Sequence, residues 1–424
     1  MKRYIKYKIS LYIALILSVL MGIVVYEYIF YRQIPDTIYL QKGEVEEIEF
    51  ALPVTAHLEE AEEEYVQTWE NTQSKIDHKE DTNISSYVWK LRLFGMFPLK
   101  DVEVKVVDEE SVYPVGVPVG IYVKTDGVLV AGLGNIRTAD EREVCPCENV
   151  LQTGDYILAV NDEQVTMKGE VIEKIKASAG QPVIMTIRRK GQISKVRVTP
   201  AMNDAGEYQI GTWIRDSAQG IGTLTYIDED NGFGALGHGI NDIDTTDLME
   251  IDYGGLYETQ IVSIKKGASG EPGEISGVIR FLDEAKEGVI EQNTSNGIYG
   301  VMDSDAVGTE LYEDMLYPVA LKQDIELGDA GILCTINGET NIYDVQITEI
   351  DYSQSDGNRG LVIEVTDPVL LSQTGGIIQG MSGSPIVQNG KFIGAVTHVF
   401  VNNPAKGYGI FAETMLRMAE EGEM

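Results

Sequence analysis

Near the C-terminus, Gly380-Met381-Ser382-Gly383-Ser384-Pro385 holds a hydroxyl between two glycines, just ahead of the apolar pair Ile386-Val387. Attack on a carbonyl needs a hydroxyl held clear of its own backbone and N–H groups converging on the oxyanion that forms. Gly380 and Gly383 open backbone conformations that a Cβ forbids, and Pro385 stiffens the exit from the turn. Ser382 is therefore the candidate nucleophile, although turn chemistry alone would select the same residues. Its base must exchange a proton near neutrality, which points to a histidine. The chain has 4: His57, His78, His238 and His398. His238 lies in Gly232-Phe233-Gly234-Ala235-Leu236-Gly237-His238-Gly239, where small neighbours allow close approach to a serine and leave room for substrate. His57 and His78 sit in an acidic, polar region and read as surface residues. Spacing leaves open the carboxylate that would orient the imidazole. Asp242, Asp244 and Asp247 follow it closely, while Asp329, Asp344, Asp351 and Asp367 lie further on.

Histidine before serine, in a glycine-rich and strand-rich background, is the order of chymotrypsin-like proteases rather than of α/β-hydrolases. The Gly-x-Ser-Gly-x-Pro spacing also resembles their nucleophile turn, with Ser384 where those enzymes usually carry a second glycine. That resemblance implies an oxyanion hole built from the amides of Gly380 and Ser382. Residues 234–239, 375–385 and 394–401 make the chain similar to the stage IV sporulation protein B peptidases, which are PDZ-containing, membrane-linked serine proteases of endospore-forming bacteria. The likeness covers most of the chain, and residues 58–85 are its least typical part. It implies a triad of His238, Asp367 and Ser382. Read on its own, Thr366-Asp367-Pro368 is a helix start with Asp367 as N-cap. The resemblance further implies secretion from the forespore into the space between forespore and mother-cell membranes. There the protein would cleave a membrane-bound regulator, freeing an intramembrane metalloprotease to process a sigma-factor precursor. Self-cleavage near the N-terminus and PDZ control of the protease are implied as well. No metal or cofactor is.

The strand Phe392-Ile393-Gly394-Ala395-Val396-Thr397-His398 follows the serine turn, and period two puts His398 on the face of Phe392, Gly394 and Val396. In chymotrypsin-like enzymes the corresponding strand lines the specificity pocket, so His398 is the expected selector of the substrate side chain. Upstream, the strands 121–124 and 128–131 precede Gly154-Asp155-Tyr156-Ile157-Leu158-Ala159-Val160-Asn161, a helical 168–179 and two more strands. This succession looks like a bacterial PDZ domain. Such domains hold a peptide as an added strand and cradle its carboxylate with loop amides. Pro114 to Ile121 is the expected loop, with Gly116, Val117, Val119, Gly120 and Ile121 as peptide-binding residues and Pro114 and Pro118 unable to donate.

The elements that must carry these residues follow from composition and pattern. With 67 acidic and 33 basic residues in 424, the net charge of −34 excludes a phosphate-neutralising surface and hence nucleic-acid binding. It also repels anionic lipid headgroups, so membrane contact must come from an apolar anchor. The run from Ile9 to Val25 supplies one, preceded by Lys2, Arg3, Lys6 and Lys8 and followed by Tyr26, Tyr28, Phe30 and Tyr31. Basic residues before it place the body outside the cytoplasm, and the aromatic belt suits an uncleaved span better than a signal peptide. Cys145, Cys147 and Cys334 make neither a disulfide framework nor a metal site and read as incidental thiols.

The chain is thus expected to be mainly β. Residues 1–31 are a cytoplasmic stub and transmembrane helix, and residues 36–109 a β-rich region with an acidic insertion. Residues 110–200 are an α+β PDZ domain, and residues 205–424 a chymotrypsin-like double β-barrel peptidase domain. Expected partners are a protein substrate, a peptide ligand of the PDZ domain and the membrane. The competing reading is a non-catalytic, membrane-anchored PDZ adaptor.

Overall fold

The computed structural model describes residues 7–8, 11–22, 34–42, 54–58, 86–93, 97–303, 316–352 and 357–421. Residues 11–22 form a helix whose apolar side chains, among them Leu11, Ile13, Leu15 and Leu20, are exposed. No helix among the described residues is long and apolar enough to cross a membrane. The rest of the expected anchor with its aromatic flank, and the acidic stretch 59–85 with His78, lie outside the described residues. A small sheet follows, built from Thr37–Gln41, Phe97–Val107, Ser86–Leu93 and Val54–Leu58, over a core of Ile38, Trp89, Leu91, Val102 and Val104.

One strand organises the remainder. Ser111–Leu133 is 23 residues long and rich in valine, far beyond the usual strand length, and it serves two units in turn. Its first half pairs on one side with Thr212–Ile227, with Val119 opposite Gly222 and Ile121 opposite Gly220. On the other side it pairs with Ile251–Tyr257, where Ile121 faces Leu256. The same pairing continues through Gly232–Ala235, Gly297–Met302 and Lys286–Thr294 and returns to Ile251–Tyr257, closing a ring. Val115, Val119, Ile121, Val123, Leu224, Phe233, Leu256 and Ile298 fill it.

The second half of the long strand enters a different core. Val128 pairs with Ile157, and Val128 and Val130 pack with Leu151, Val171, Ile175, Met185, Ile187 and Ile210. The helix Lys168–Ala177 covers this unit, burying Val171 and Ile175 one turn apart. A six-stranded closed barrel completes the molecule, in the order Gly328–Ile336, Glu339–Ile350, Leu361–Val365, Asn403–Phe411, Lys391–Phe400, Pro385–Gln388. Tyr226 and Tyr299 of the ring pack with Phe392, Ala395 and Ile410 of the barrel, joining the two.

This arrangement corrects one expectation. Residues 114–121 are not a loop: all lie in the long strand, where Val117, Val119, Gly120 and Ile121 pair with Thr212–Ile227 and Gly116, at φ of 72°, falls in a bulge between the Val117 and Pro114 pairs. Val117, Val119, Gly120 and Ile121 are therefore paired sheet residues and not a free loop that could wrap a peptide carboxylate. The long strand begins at Ser111, beside the expected boundary at residue 110, and residue 205 lies in the turn between Ala201–Met202 and Tyr208–Gln209. The three cysteines are free thiols, with Cys334 in the barrel core and Cys147 in the helix-covered core.

Candidate active site

Ser382 sits in the turn that links the helix Pro368–Thr374 to the barrel strand Pro385–Gln388. Gly380 and Gly383 have φ of 99° and 95°, the left-handed region that glycine enters freely. Gly383 has a second reason to be glycine, since a Cβ there would lie 2.2 Å from the Thr223 carbonyl oxygen and 2.6 Å from the Leu236 nitrogen. Thr223 of the ring clamps the turn: its Oγ1 donates to the Gly380 carbonyl at 2.8 Å and its N–H to the Ser382 carbonyl at 3.0 Å.

The expected oxyanion donors are the amides of Gly380 and Ser382. The Gln379 carbonyl accepts from Ile275, and the Met381 carbonyl accepts from Ser384. In a trans peptide the next N–H points the opposite way. The amides of Gly380 and Ser382 accordingly face away from those bonds and donate to no acceptor among the described residues.

His238 and Ser382 line one cavity of about 770 Å³ between ring and barrel, together with Arg215, Gln219, Asn241, Gln379, Thr397 and His398. Leu236 and Gly237, at φ of 69° and 68°, turn the chain so that His238 enters it. Leucine is rarely held there, which is strain of the kind that collects at functional sites. The Nδ1 of His238 donates to the Gly239 carbonyl at 2.9 Å. A carbonyl only accepts, so Nδ1 carries the proton and Nε2 keeps the lone pair a general base needs. Burial lowers the pKa of His238, and the Gly239 carbonyl pulls the other way. The Ser382 hydroxyl donates to the Thr397 carbonyl at 2.8 Å. Transfer of that proton to His238 therefore requires a rotation of the serine side chain.

The carboxylates fall elsewhere. Asp367 caps the helix Pro368–Thr374, its Oδ1 accepting from Val369 at 2.8 Å and Leu370 at 2.9 Å. It lies past the C-terminal end of Leu361–Val365, whereas Thr397 bonds to Asn358 before the other end of that strand. The structure does not bring Asp367 to His238; Gly239 holds the imidazole instead. Asp242 is buried but taken: Oδ1 accepts from the amides of Asp244 and Thr245, and Oδ2 pairs with Arg215. Asp244 also pairs with Arg215, at 2.7 Å. His398 lies against His238, with ring centroids 5.1 Å apart. Its Nδ1 is buried and has no partner among the described residues. Burial first, then His238 and Arg359, push its pKa down to about 4.

Sequence reasoning missed Thr223, the Gly239 carbonyl and the Arg215 pair, because each acts through the backbone or across elements. It also missed a second cavity of about 480 Å³, in the helix-covered unit. This one runs between Ile172 and Ile175 of the helix and the start of Thr212–Ile227, where Trp213 is 71 % exposed. Thr212 to Arg215 pair with the long strand on one side only, and the amides of Ile210 and Gly211 donate to no acceptor among the described residues. A free strand edge with open amides at its beginning has the features of a peptide groove, which no local pattern of residues marks there.

Residues 206–416 match the SpoIVB peptidase S55 family, and residues 148–189 match a PDZ domain. The chain is accordingly a serine peptidase of the SpoIVB family that carries a PDZ domain, and it acts on protein or peptide substrates. Among solved structures, the PDZ domain of the SdrC-like protein from Listeria monocytogenes is 22 % identical, with a TM-score of 0.17, covering 21 % of this chain and 87 % of that one. The Rv3671c protease of M. tuberculosis H37Rv, in an inactive form, is 12 % identical with a TM-score of 0.24 and covers 48 % of this chain and 83 % of that one. Comparison with curated proteins finds no significant match.

Proposed function

We propose that the protein is a membrane-tethered endopeptidase acting outside the cytoplasm, with Ser382 as nucleophile and His238 as base. The single observation that carries this reading is the cavity shared by His238 and Ser382, with two unpaired amides beside the serine. Ser382 leaves the Thr397 carbonyl, gives its proton to His238 Nε2 and attacks the scissile carbonyl. The oxyanion is met by the amides of Gly380 and Ser382. The imidazolium returns the proton to the leaving amine, and water hydrolyses the acyl-enzyme by the same route. The buried site keeps His238 neutral and able to accept. His398, beside the base, contributes to the choice of substrate side chain.

The tether is the basic-flanked apolar run from Ile9 to Val25. The role proposed for the enzyme is in sporulation signalling. Released from the forespore, it cleaves a membrane-bound regulator and so activates sigma-factor processing, after cleaving itself near the N-terminus. Its PDZ groove is the cavity between Lys168–Ala177 and the start of Thr212–Ile227.

A serine-directed phosphonate tests the catalytic reading. Ser382 should be modified, and labelling should vanish in Ser382→Ala and His238→Ala but persist in Ser384→Ala. Folded protein that neither labels nor cleaves any peptide library would leave the PDZ adaptor as the better account. Mapping the N-terminus of wild-type and Ser382→Ala protein tests self-cleavage separately.

A further inference from the structure

Cys145 and Cys147 flank Pro146 in the turn that supports the PDZ-side cavity, with their sulfurs 3.5 Å apart. Both thiols point at one acceptor, the Gly211 carbonyl, at 3.8 Å from Cys145 and 3.2 Å from Cys147. The Cys147 amide bonds to the Ile210 carbonyl, and Gly134 donates to Gly211 at 2.9 Å. Gly211 has a φ of 80° and packs directly on the cysteine turn: a Cβ there would lie 3.3 Å from the Cys145 sulfur and 3.4 Å from Pro146. Gly211 also lines the cavity, between Ile210 and Trp213. Among the described residues, no group of three or more His, Cys, Asp or Glu side chains could hold a metal ion.

We propose that Cys145 and Cys147 are a redox pair whose oxidation to a disulfide loosens the Gly211 turn and weakens the PDZ-side groove. The sulfurs need approach by only about 1.5 Å to reach bonding distance. A disulfide across a single intervening residue is strained, which makes it reducible and suited to regulation rather than to structure. Burial, and then the neighbouring thiol, push Cys147 up to about 12, so it stays protonated until the mixed disulfide forms on Cys145. Cys145, half-buried, is the thiol that engages an oxidant first. With glutathione disulfide, the Cys145 thiolate attacks one sulfur and expels one glutathione thiolate, leaving a mixed disulfide. Cys147 gives up its proton to that thiolate, attacks the Cys145 sulfur and expels the second glutathione. Two protein thiols and one glutathione disulfide thus become one protein disulfide and two glutathione thiols. Oxidation removes both S–H donors from the Gly211 carbonyl and leaves it only the Gly134 amide.

The test uses the full chain in detergent, equilibrated with mixtures of reduced and oxidised glutathione, trapped with N-ethylmaleimide and digested with trypsin. Both cysteines fall in the peptide 143–168, which contains no other. At the oxidised end that peptide should have lost two hydrogens and take no label, in wild type and in Cys334→Ser alike. Cys145→Ser and Cys147→Ser should each abolish the change. Two labels at every ratio, a glutathione adduct as the end product, or a link to Cys334 would overturn the pairing. Amide hydrogen exchange on the same samples reads the consequence: the amides of Gly134 and Cys147, which bond to the Gly211 and Ile210 carbonyls, should exchange several-fold faster when oxidised, and Cys145→Ser should not respond. Unchanged exchange in fully oxidised wild type overturns the coupling to the groove.

Discussion

His238 is held by a main-chain carbonyl where proteases of this general kind use a carboxylate, and the consequences belong to single residues. Asp367 tests them most directly, because asparagine caps a helix as well as aspartate but cannot balance an imidazolium. If Asp367 only caps the helix, Asp367→Asn should label and cleave like wild type, while Asp367→Ala should lose about 1 kcal/mol of stability and little activity. A loss on the order of 10⁴ in kcat for Asp367→Asn, with its melting curve unchanged, would restore the triad. The histidine pair sets a second expectation. His398 has its pKa depressed from 6.5 to about 4, so the unfolded chain takes up a proton first as the pH falls. Stability is complete above about 6.5 and is lost progressively toward about 4, and His238, also depressed, adds in the same direction. Urea melts across that window should show a steep acid loss in wild type and a shallower one in His398→Gln. Equal slopes would remove His398 from the account. The acid limb of kcat/KM should likewise fall below the ordinary histidine range, since His238 stays neutral there.

The serine turn works as an element because a strand of the other ring fastens it. Thr223→Val keeps the shape and removes the bond to the Gly380 carbonyl, leaving a buried acceptor unpaired at a cost of about 1–3 kcal/mol. The Gly380 and Ser382 amides should lose their common aim, so kcat should drop more than KM rises, alongside a lower melting temperature. A fall confined to the melting temperature would show that the clamp supports the fold but not the oxyanion. Ser384 provides the contrast. Its hydroxyl is fully buried with no partner among the described residues, so Ser384→Ala should be neutral or stabilising. The serine turn was legible in the sequence because glycine spacing is local, and so was the Asp367-Pro368 cap. The partner strand was not. Gly220-Ile221-Gly222-Thr223 carries no mark that it will reach a turn 150-odd residues away, roughly the separation between Thr223 and Gly380. The peptide-binding loop was misplaced for the opposite reason. Prolines and glycines at 114–120 signal a turn locally, but tertiary pairing with Thr212–Ile227 turns the segment into a strand, the usual way in which context overrides propensity.

At the scale of the whole molecule, peptidase and PDZ unit share backbone. The long strand Ser111–Leu133 supplies Val115, Val119, Ile121 and Val123 to the catalytic ring and Val128 and Val130 to the PDZ core. Its partner Thr212–Ile227 begins at the PDZ-side groove with Trp213 and runs to Thr223 at the serine turn. A linker read between residues 200 and 205 would suggest that the peptidase can be cut free there. The pairing argues otherwise. A fragment of residues 205–424 lacks four buried aliphatic side chains, each contributing about 2 kcal/mol by burial, and leaves two strand edges of the ring unpaired. That loss is comparable to the whole stability of an ordinary domain, about 5–15 kcal/mol. The fragment 205–424 should therefore fail to give a cooperative thermal transition or phosphonate labelling, whereas 111–424 should give both. Restoring residues 111–126 as a separate peptide should recover part of the labelling in the shorter fragment. A folded, labelling-competent 205–424 fragment would mean that the catalytic ring closes without the long strand, and the backbone link between groove and serine would lose its basis.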